Sequence, residues 1–144
     1  MYQGYGLSEA TPIISANSPA KHIFGSSGKI VQPMEIKILD ADGVEQPFGS
    51  KGEICIKGEN VMAGYWKNPK STADTVVDGW LHTGDLGHFD EDGYLYITGR
   101  CKNLILLDNG ENVSAEMLEE RFAKEPLVGE VVCFRDNCAI YAEI

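Results

Sequence analysis

The stretch from Gly79 to Asn103 constrains the fold most, because it alternates short apolar runs with two glycine-containing turns. Its sequence is GWLHTGDLGHFDEDGYLYITGRCKN. The turn signals HTGDL and DEDG, flanked by aromatic and β-branched residues, predict a strand-turn-strand frame. Polar groups are then expected at strand ends, where binding sites are commonly built. Asp85, Arg100 and Lys102 are the candidates for contact with a ligand.

The sequence before this stretch predicts further strands. Between Phe24 and Ile56, apolar and polar residues alternate on either side of turns at 42–43 and 48–52. Short, regularly spaced strands with many glycines predict a small, strongly bent sheet or a small distorted β-barrel. The residues expected to share its inward face are Ile36, Ile38, Ile54 and Ile56.

A turn and a short helix are predicted between residues 59 and 78. Ser71 or Thr72 is the expected cap of that helix. Trp66 and Trp80 are expected to close over the barrel as core or rim aromatic residues, because a buried indole with a satisfied N–H is commoner than an indole that binds a ligand.

The residues after Arg100 have a different character. NLILLDNGENVS predicts two strands joined by an Asn-Gly turn, and Ser114 is the predicted cap of the helix AEMLEERFAKE. GEVVCF and CAIYAEI predict two more strands. The chain as a whole is therefore predicted to be α+β, mainly β, with the barrel subdomain followed by a β-β-α-β-β piece. Both ends interrupt a pattern, so we expect a fragment whose cut strand edges invite artificial pairing.

The first residues, MYQGYGLSEATP, are predicted to form a loop with chemically useful side chains. Gly4 and Gly6 allow close approach of the backbone to a flat or anionic ligand, and Tyr5 offers an aromatic face. Ser8 and Glu9 add a hydroxyl and a carboxylate, which suit a nucleotide with bound Mg²⁺. The alternative is an exposed glycine-rich turn with a capping serine.

Composition excludes several classes of function. The 12 Lys and Arg residues are scattered among 22 Asp and Glu residues, and the net charge of -10 argues against nucleic acid as a partner. No apolar run approaches a membrane span, and the N-terminus lacks a secretory pattern. The 4 cysteines form no CxxC pair, and His82 and His88 have no partner at metal spacing. Reduced cysteines and a cytoplasmic location are expected.

Four motifs together resemble the adenylate-forming enzymes, the superfamily of acyl-CoA synthetases, luciferases and peptide-synthetase adenylation domains. GYGLSEATP resembles the adenine and magnesium loop, and GEICIKGENVMAGYWKNP resembles the barrel motif. LHTGDLGHFDEDGYLYITGR resembles the ribose motif, and GRCKNLILLDNGENVSAEMLEE resembles the hinge with the start of the lid domain. All four occur in the family order over nearly the whole chain, which makes the resemblance specific. It implies that residues 1–99 end the large adenylate-binding domain and that residues 100–144 begin the lid.

The resemblance also implies a role for each candidate in the first loop. Tyr5 would stack on adenine, with Gln3 and Gly4 near the edge of the base. Ser8 would contact the α-phosphate, and Glu9 would hold Mg²⁺. The nucleotide-binding residues implied for this loop are Gln3, Gly4, Tyr5, Gly6 and Ser8.

Three later residues receive roles from the same resemblance. Asp85 would accept hydrogen bonds from the ribose hydroxyls, which suits an ionised carboxylate. Arg100 would reach the ribose or a phosphate at the domain boundary. Lys102 occupies the hinge position, and a lysine there is similar to the branch of long-chain fatty acid CoA ligases.

The function implied is that of an ATP-dependent ligase. Such an enzyme converts a carboxylate, here a long-chain fatty acid, to an acyl-adenylate and then transfers the acyl group to CoA. Its cofactors and co-substrates would be ATP or AMP, Mg²⁺ and CoA. Catalysis would depend on positioning and on neutralisation of phosphate charge, with Ser8, Glu9 and the hinge at Lys102 as the main contributors.

Several expectations remain open at this stage. The acceptor could be a carrier-protein thiol instead of CoA, and a non-catalytic β-rich binding module is the alternative from another class. Without a phosphate loop, an acyl pocket and a C-terminal lysine, these residues are expected to be inactive alone. Peripheral membrane contact stays open because the substrate partitions into lipid, although no amphipathic helix supports it.

Overall fold

The computed structural model divides the chain into two compact units, Met1–Ile97 and Thr98–Ile144, each with its own apolar core. None of the helices in the described parts of the chain has the length and apolar composition that a bilayer crossing requires. The described residues are 2–31, 33–106, 112–126, 128–136 and 139–143.

The first loop is held in a small antiparallel sheet and is not an isolated turn. The sheet contains β1 (Gly4–Tyr5), β2 (Ser15–Ala16) and β3 (Lys29–Ile30), in that order. The backbone N–H of Ile14 donates to the carbonyl of Tyr5 at 2.8 Å, which closes the loop between β1 and β2. Strands of two residues are too short to leave an alternating pattern in the sequence.

A five-stranded sheet forms most of the first unit. Its strand order is β4-β5-β7-β6, and a further strand, β8, also pairs with β7. Within the described residues β4 and β6 are not joined, so of the two predicted forms the open sheet is found and a closed barrel is not. The strands are β4 (Glu35–Leu39), β5 (Gly52–Lys57), β6 (Val76–Val77), β7 (Trp80–Phe89) and β8 (Leu95–Arg100).

The predicted inward face of this sheet is confirmed. Ile36 lies opposite Ile56, and Ile38 lies opposite Ile54 across the β4–β5 pair. Ile38, Ile54 and Ile56 are buried, and Ile36 packs against the same core. The first loop contributes Ala10 to this core, so burial of apolar surface anchors it to the sheet.

The short helix α1 (Pro69–Thr75) begins differently from the prediction. Its cap is Asn68, whose side chain accepts a hydrogen bond from the backbone N–H of Ser71 at 3.1 Å. Pro69 occupies the first turn, where its missing N–H costs nothing and its fixed φ favours the helix. Ser71 and Thr72 therefore lie inside the helix.

The two tryptophans do not close over the sheet together. Trp66 is 88% exposed, so its predicted packing role is wrong. The ring of Trp80 lies 4.1 Å from the Lys37 ammonium and 5.7 Å from the Lys57 ammonium. These cations on β4 and β5 favour a position of the indole over the face that the two strands share with β7.

The second unit has the predicted β-β-α-β-β order. Ser114 caps its helix, because its hydroxyl oxygen accepts from the backbone N–H of Met117 at 3.3 Å. The predicted turn at Asn109 and Gly110 lies outside the described residues. β9 pairs with β10 and β11 pairs with β12, both antiparallel. The elements are β9 (Leu104–Leu106), β10 (Asn112–Ser114), α2 (Ala115–Phe122), β11 (Val132–Asp136) and β12 (Ala139–Glu143).

Candidate functional site

Tyr5 and Asp85 meet in the structure although they are 80 positions apart in the sequence. The Tyr5 hydroxyl donates to Asp85 Oδ2 at 2.7 Å. Asp85 is only 7% exposed, so its carboxylate has lost most of its contact with water. The Tyr5 hydroxyl supplies one of the hydrogen bonds that a buried carboxylate needs. An aromatic residue and a buried carboxylate from distant parts of the chain thus lie within hydrogen-bonding distance of each other.

Glu9 lies in a short 3-10 helix, Ser8–Ala10, that follows β1. Its Oε1 accepts a hydrogen bond from the Tyr65 hydroxyl at 2.9 Å, and its backbone carbonyl accepts from the Met62 N–H at 2.8 Å. Ser8 is exposed beside it. Tyr65 was not among the predicted site residues, because nothing in the sequence relates it to a residue 56 positions away.

Further hydrogen bonds hold the same loop from both sides. The Asn60 amide donates to the Ala10 carbonyl at 2.7 Å, and the Thr11 hydroxyl donates to the Asn60 carbonyl at 3.2 Å. On the other side, the backbone N–H of Asn17 donates to the Gln3 carbonyl at 3.0 Å. The loop is therefore preorganised by its own unit, which lowers the entropic cost of binding a ligand.

Glycine is required at position 6 by close packing. A Cβ atom on Gly6 would lie 1.5 Å from the carbonyl oxygen of Pro12, which is backbone and cannot rotate away. Gly4 is also tight, with 3.1 Å between its hypothetical Cβ and the Ser15 carbonyl oxygen. Both predicted nucleotide-loop glycines thus have a packing function, whatever they do toward a ligand.

The predicted hinge residues belong to the second unit. Arg100 ends β8, and Lys102 lies exposed in the 3-10 helix Cys101–Asn103. Asn103 donates a hydrogen bond to Glu116, and the Ser114 hydroxyl donates to Glu116 Oε2 at 2.8 Å. Burial opposes ionisation of Glu116, but these bonds and bonds from backbone N–H groups lower its pKa. The segment after β8 is therefore tied to the start of α2.

His82 is not an isolated histidine, contrary to the prediction. Its Nδ1 lies 2.9 Å from Glu53 Oε2 and 3.6 Å from Cys55 Sγ, and the ligand atoms of these three residues all fall within 4.8 Å. Two ligands on a tetrahedral zinc ion at about 2.0 Å would be separated by roughly 3.3 Å. The shorter Glu53–His82 distance describes a direct hydrogen bond. The sequence does not reveal this contact, because the residues of β5 reach His82 only through the pairing of β5 with β7, in which Cys55 lies opposite His82.

The Tyr65–Glu9 contact predicts a measurable pH effect. The hydrogen bond to Glu9 raises the pKa of Tyr65, with further contributions from burial and from the carboxylate charge. The neutral phenol is favoured in the folded state, so its stabilisation is complete below the unfolded pKa of about 10 and is lost as the pH rises through the raised value. Subtracting the ultraviolet titration of Tyr65→Phe from that of the wild type isolates this group.

The control for this titration is Glu9→Gln, which removes the negative charge. We expect the Tyr65 pKa to fall back toward 10 in that variant. A wild-type Tyr65 that titrates at or below 10 would contradict the contact.

Known proteins are similar to this chain in sequence and in fold. Residues 1–66 match the family described as AMP-binding enzyme. A long-chain-fatty-acid--CoA ligase of Escherichia coli O6:H1 is 42% identical over 132 residues, which cover 91% of this chain and 23% of that protein. The O-succinylbenzoate Coenzyme A synthetase of Bacillus subtilis has been solved in complex with AMP. It matches with a TM-score of 0.85 and 34% identity, over 98% of this chain and 30% of that one.

A second structure of the Bacillus subtilis protein holds ATP and a magnesium ion, and matches with a TM-score of 0.83 and 35% identity over 98% and 30% of the two chains. Fold and sequence thus define a part of an AMP-binding enzyme. Over nearly its whole length the chain is similar to a part of the adenylate-forming enzymes, among them CoA ligases. It spans about a quarter of the length of the curated relatives that it matches.

Proposed function

We propose that this chain serves in an ATP-dependent ligase that activates a carboxylic acid as an acyl-adenylate and transfers the acyl group to CoA. The observation that carries the proposal is the contact between the Tyr5 hydroxyl and the buried Asp85 carboxylate. The contact brings together an aromatic ring and a carboxylate that can accept hydrogen bonds from ribose hydroxyls. The two residues belong to two different motifs of the resemblance.

In this proposal the first loop binds the nucleotide. The Tyr5 ring stacks on adenine, and the backbone of Gln3, Gly4 and Gly6 lies near the base. Asp85 accepts from the ribose hydroxyls, and Ser8 contacts the α-phosphate. The Tyr5 hydroxyl is a donor that already occupies Asp85 Oδ2, which orients the carboxylate before the nucleotide arrives.

Glu9 is the proposed magnesium ligand. Magnesium is typically bound through one or two carboxylates together with substrate phosphates and water, so one half-buried carboxylate in the phosphate region fits the ion. The ion would neutralise phosphate charge. Tyr65 donates to Oε1 of the same group and so restricts the rotamers available to it.

The reaction then follows from charge and position. The substrate carboxylate attacks the α-phosphorus of ATP, the bond to the β-phosphate oxygen breaks, and pyrophosphate leaves. In the second step a thiol attacks the acyl carbon and AMP leaves. Residues 1–99 supply the adenylate site and residues 100–144 the start of a lid, with Arg100 near the nucleotide and Lys102 as the hinge.

Long-chain fatty acids are the proposed substrates. Support comes from the 42% identity to a long-chain-fatty-acid--CoA ligase and from lysine at position 102. The similarity to O-succinylbenzoate Coenzyme A synthetase favours an aromatic carboxylate as the second candidate. A cytoplasmic location belongs to the same proposal, and the buried, unbridged thiol of Cys133 is in keeping with it.

Carboxylate-dependent ATP–pyrophosphate exchange by the full-length protein tests the proposal. We expect exchange with palmitate, weaker exchange with octanoate and 2-succinylbenzoate, and release of AMP only after CoA is added. A carrier-protein ligase would show the exchange without CoA-dependent release. Absence of exchange with every carboxylate, in a protein that is folded and binds AMP, would favour the non-catalytic binding module.

A further inference from the structure

A bulge in β7 presents Asp85. β5 and β7 pair at Cys55↔His82 and again at Glu53↔Leu86. Ile54 alone lies between these pairs on β5, whereas Thr83, Gly84 and Asp85 lie between them on β7. The extra residues must leave the regular ladder, and such bulges often redirect a side chain next to a site.

The backbone of this bulge is left-handed at one point. Gly84 has a φ of 71°, in the left-handed region that favours glycine. Several backbone conformations are open to glycine, so its neighbours must hold it in this one. The conformation of Gly84 determines the direction in which the next residue, Asp85, leaves the sheet.

Glu53 provides that restraint from the neighbouring strand. Its Oε1 accepts from the backbone N–H of Gly84 at 3.0 Å, and its Oε2 lies 2.9 Å from His82 Nδ1. One carboxylate thus holds His82, the last paired residue before the bulge, and Gly84 within it. A hydrogen bond from a backbone N–H to a carboxylate is among the stronger kinds in proteins.

Thr83 restrains the other side of the bulge. Its hydroxyl donates to the Ile54 carbonyl at 2.8 Å and accepts from the backbone N–H of Asp85 at 3.1 Å. Ile54 is the residue opposite the bulge and is fully buried. The position of Asp85 is therefore tied to the core through Thr83 and to the sheet through Glu53.

We infer that Glu53, paired with His82, is a positioning residue that holds the Gly84 bulge and thereby aims the Asp85 carboxylate at the ribose hydroxyls of the nucleotide. The inference rests on the proposed function for the role of Asp85. Glu53 itself touches neither nucleotide nor substrate. Its removal should therefore weaken only the part of the affinity that depends on ribose hydroxyls.

The test compares AMP with 2′,3′-dideoxy-AMP by calorimetry on the full-length protein. Glu53→Met removes both acceptor oxygens at nearly constant length, and we expect about a tenfold loss of affinity for AMP. The affinity for the dideoxy nucleotide should change by less than twofold. Glu53→Gln keeps one oxygen for the Gly84 N–H and should retain most of the AMP affinity.

The matched control is Glu35→Met, an exposed glutamate on β4 of the same sheet, which should bind both nucleotides as the wild type does. Equal losses for AMP and dideoxy-AMP in Glu53→Met, or no loss for AMP, would overturn the inference. If Glu53→Met does not fold, the same comparison is made on Glu53→Gln and His82→Gln. A loss of AMP affinity in His82→Gln that exceeds its loss of dideoxy-AMP affinity supports the role of the Glu53–His82 pair. Equal losses of affinity for the two nucleotides refute it.

The proposed function fails in a different way. In that case the wild type would bind AMP and dideoxy-AMP equally, or Asp85→Ala would not alter AMP binding. Neither result depends on Glu53, so the two failures are distinguishable.

Discussion

Asp85→Ala is expected to weaken AMP binding about 30-fold, because it removes a carboxylate that accepts from the ribose hydroxyls. A hydrogen bond to a charged group contributes about 1.5 to 3 kcal/mol, and a loss of about 2 kcal/mol corresponds to that factor. The substitution also leaves the Tyr5 hydroxyl without its acceptor at 2.7 Å. Calorimetric titration of the full-length protein with AMP measures the change.

Two further variants sharpen this result. Asp74→Ala removes an exposed aspartate from α1 and should bind AMP normally. Tyr5→Phe keeps the ring and removes the hydroxyl, so it should cost less affinity than Asp85→Ala if the ring stacks on adenine. AMP binding by Asp85→Ala that equals that of the wild type would refute the ribose role.

Gly6→Ala should damage both the stability of the first unit and its binding site. The added methyl group would lie 1.5 Å from the Pro12 carbonyl oxygen and 2.5 Å from its carbon, so the backbone must separate. That movement opposes the Ile14–Tyr5 backbone hydrogen bond and draws Ala10 from the core. We expect a loss of about 3 kcal/mol in the free energy of unfolding, at the upper end for overpacking.

Urea denaturation followed by circular dichroism measures this loss, and AMP titration of the folded variant measures the displacement of Tyr5. The control is Gly129→Ala, because a Cβ there meets nothing within 4 Å. It should leave both measurements unchanged. Wild-type stability in Gly6→Ala would mean that the two sides of the loop are not in this close contact.

Local patterns in the sequence were sufficient for much of the fold. Alternation predicted the shared face of Ile36, Ile38, Ile54 and Ile56, because side-chain direction in a strand has a period of two residues. The cap at Ser114 was equally readable, since a serine before an apolar helix has a local function. The superfamily was recognisable because its motifs are local strings.

Contacts between distant segments were not readable in the same way. The pairing of His82 with Glu53 depends on the register of β5 against β7, and a bulge shifts that register. The contact between Tyr65 and Glu9 depends on how two loops pack. Whether the sheet closes into a barrel was not readable, because strand spacing along a chain does not reveal whether the two edge strands meet.

The long separations within the site also bear on when it can form. Three residues of the first loop form hydrogen bonds with partners far along the chain. The partners of Ala10, Glu9 and Tyr5 are Asn60, Tyr65 and Asp85, which lie 50, 56 and 80 positions later. Loop-closure entropy must be overcome before such contacts stabilise the chain. The first loop therefore reaches its final place only after these later segments have formed. A nucleotide would then recognise only the finished unit, so its binding reports completed folding.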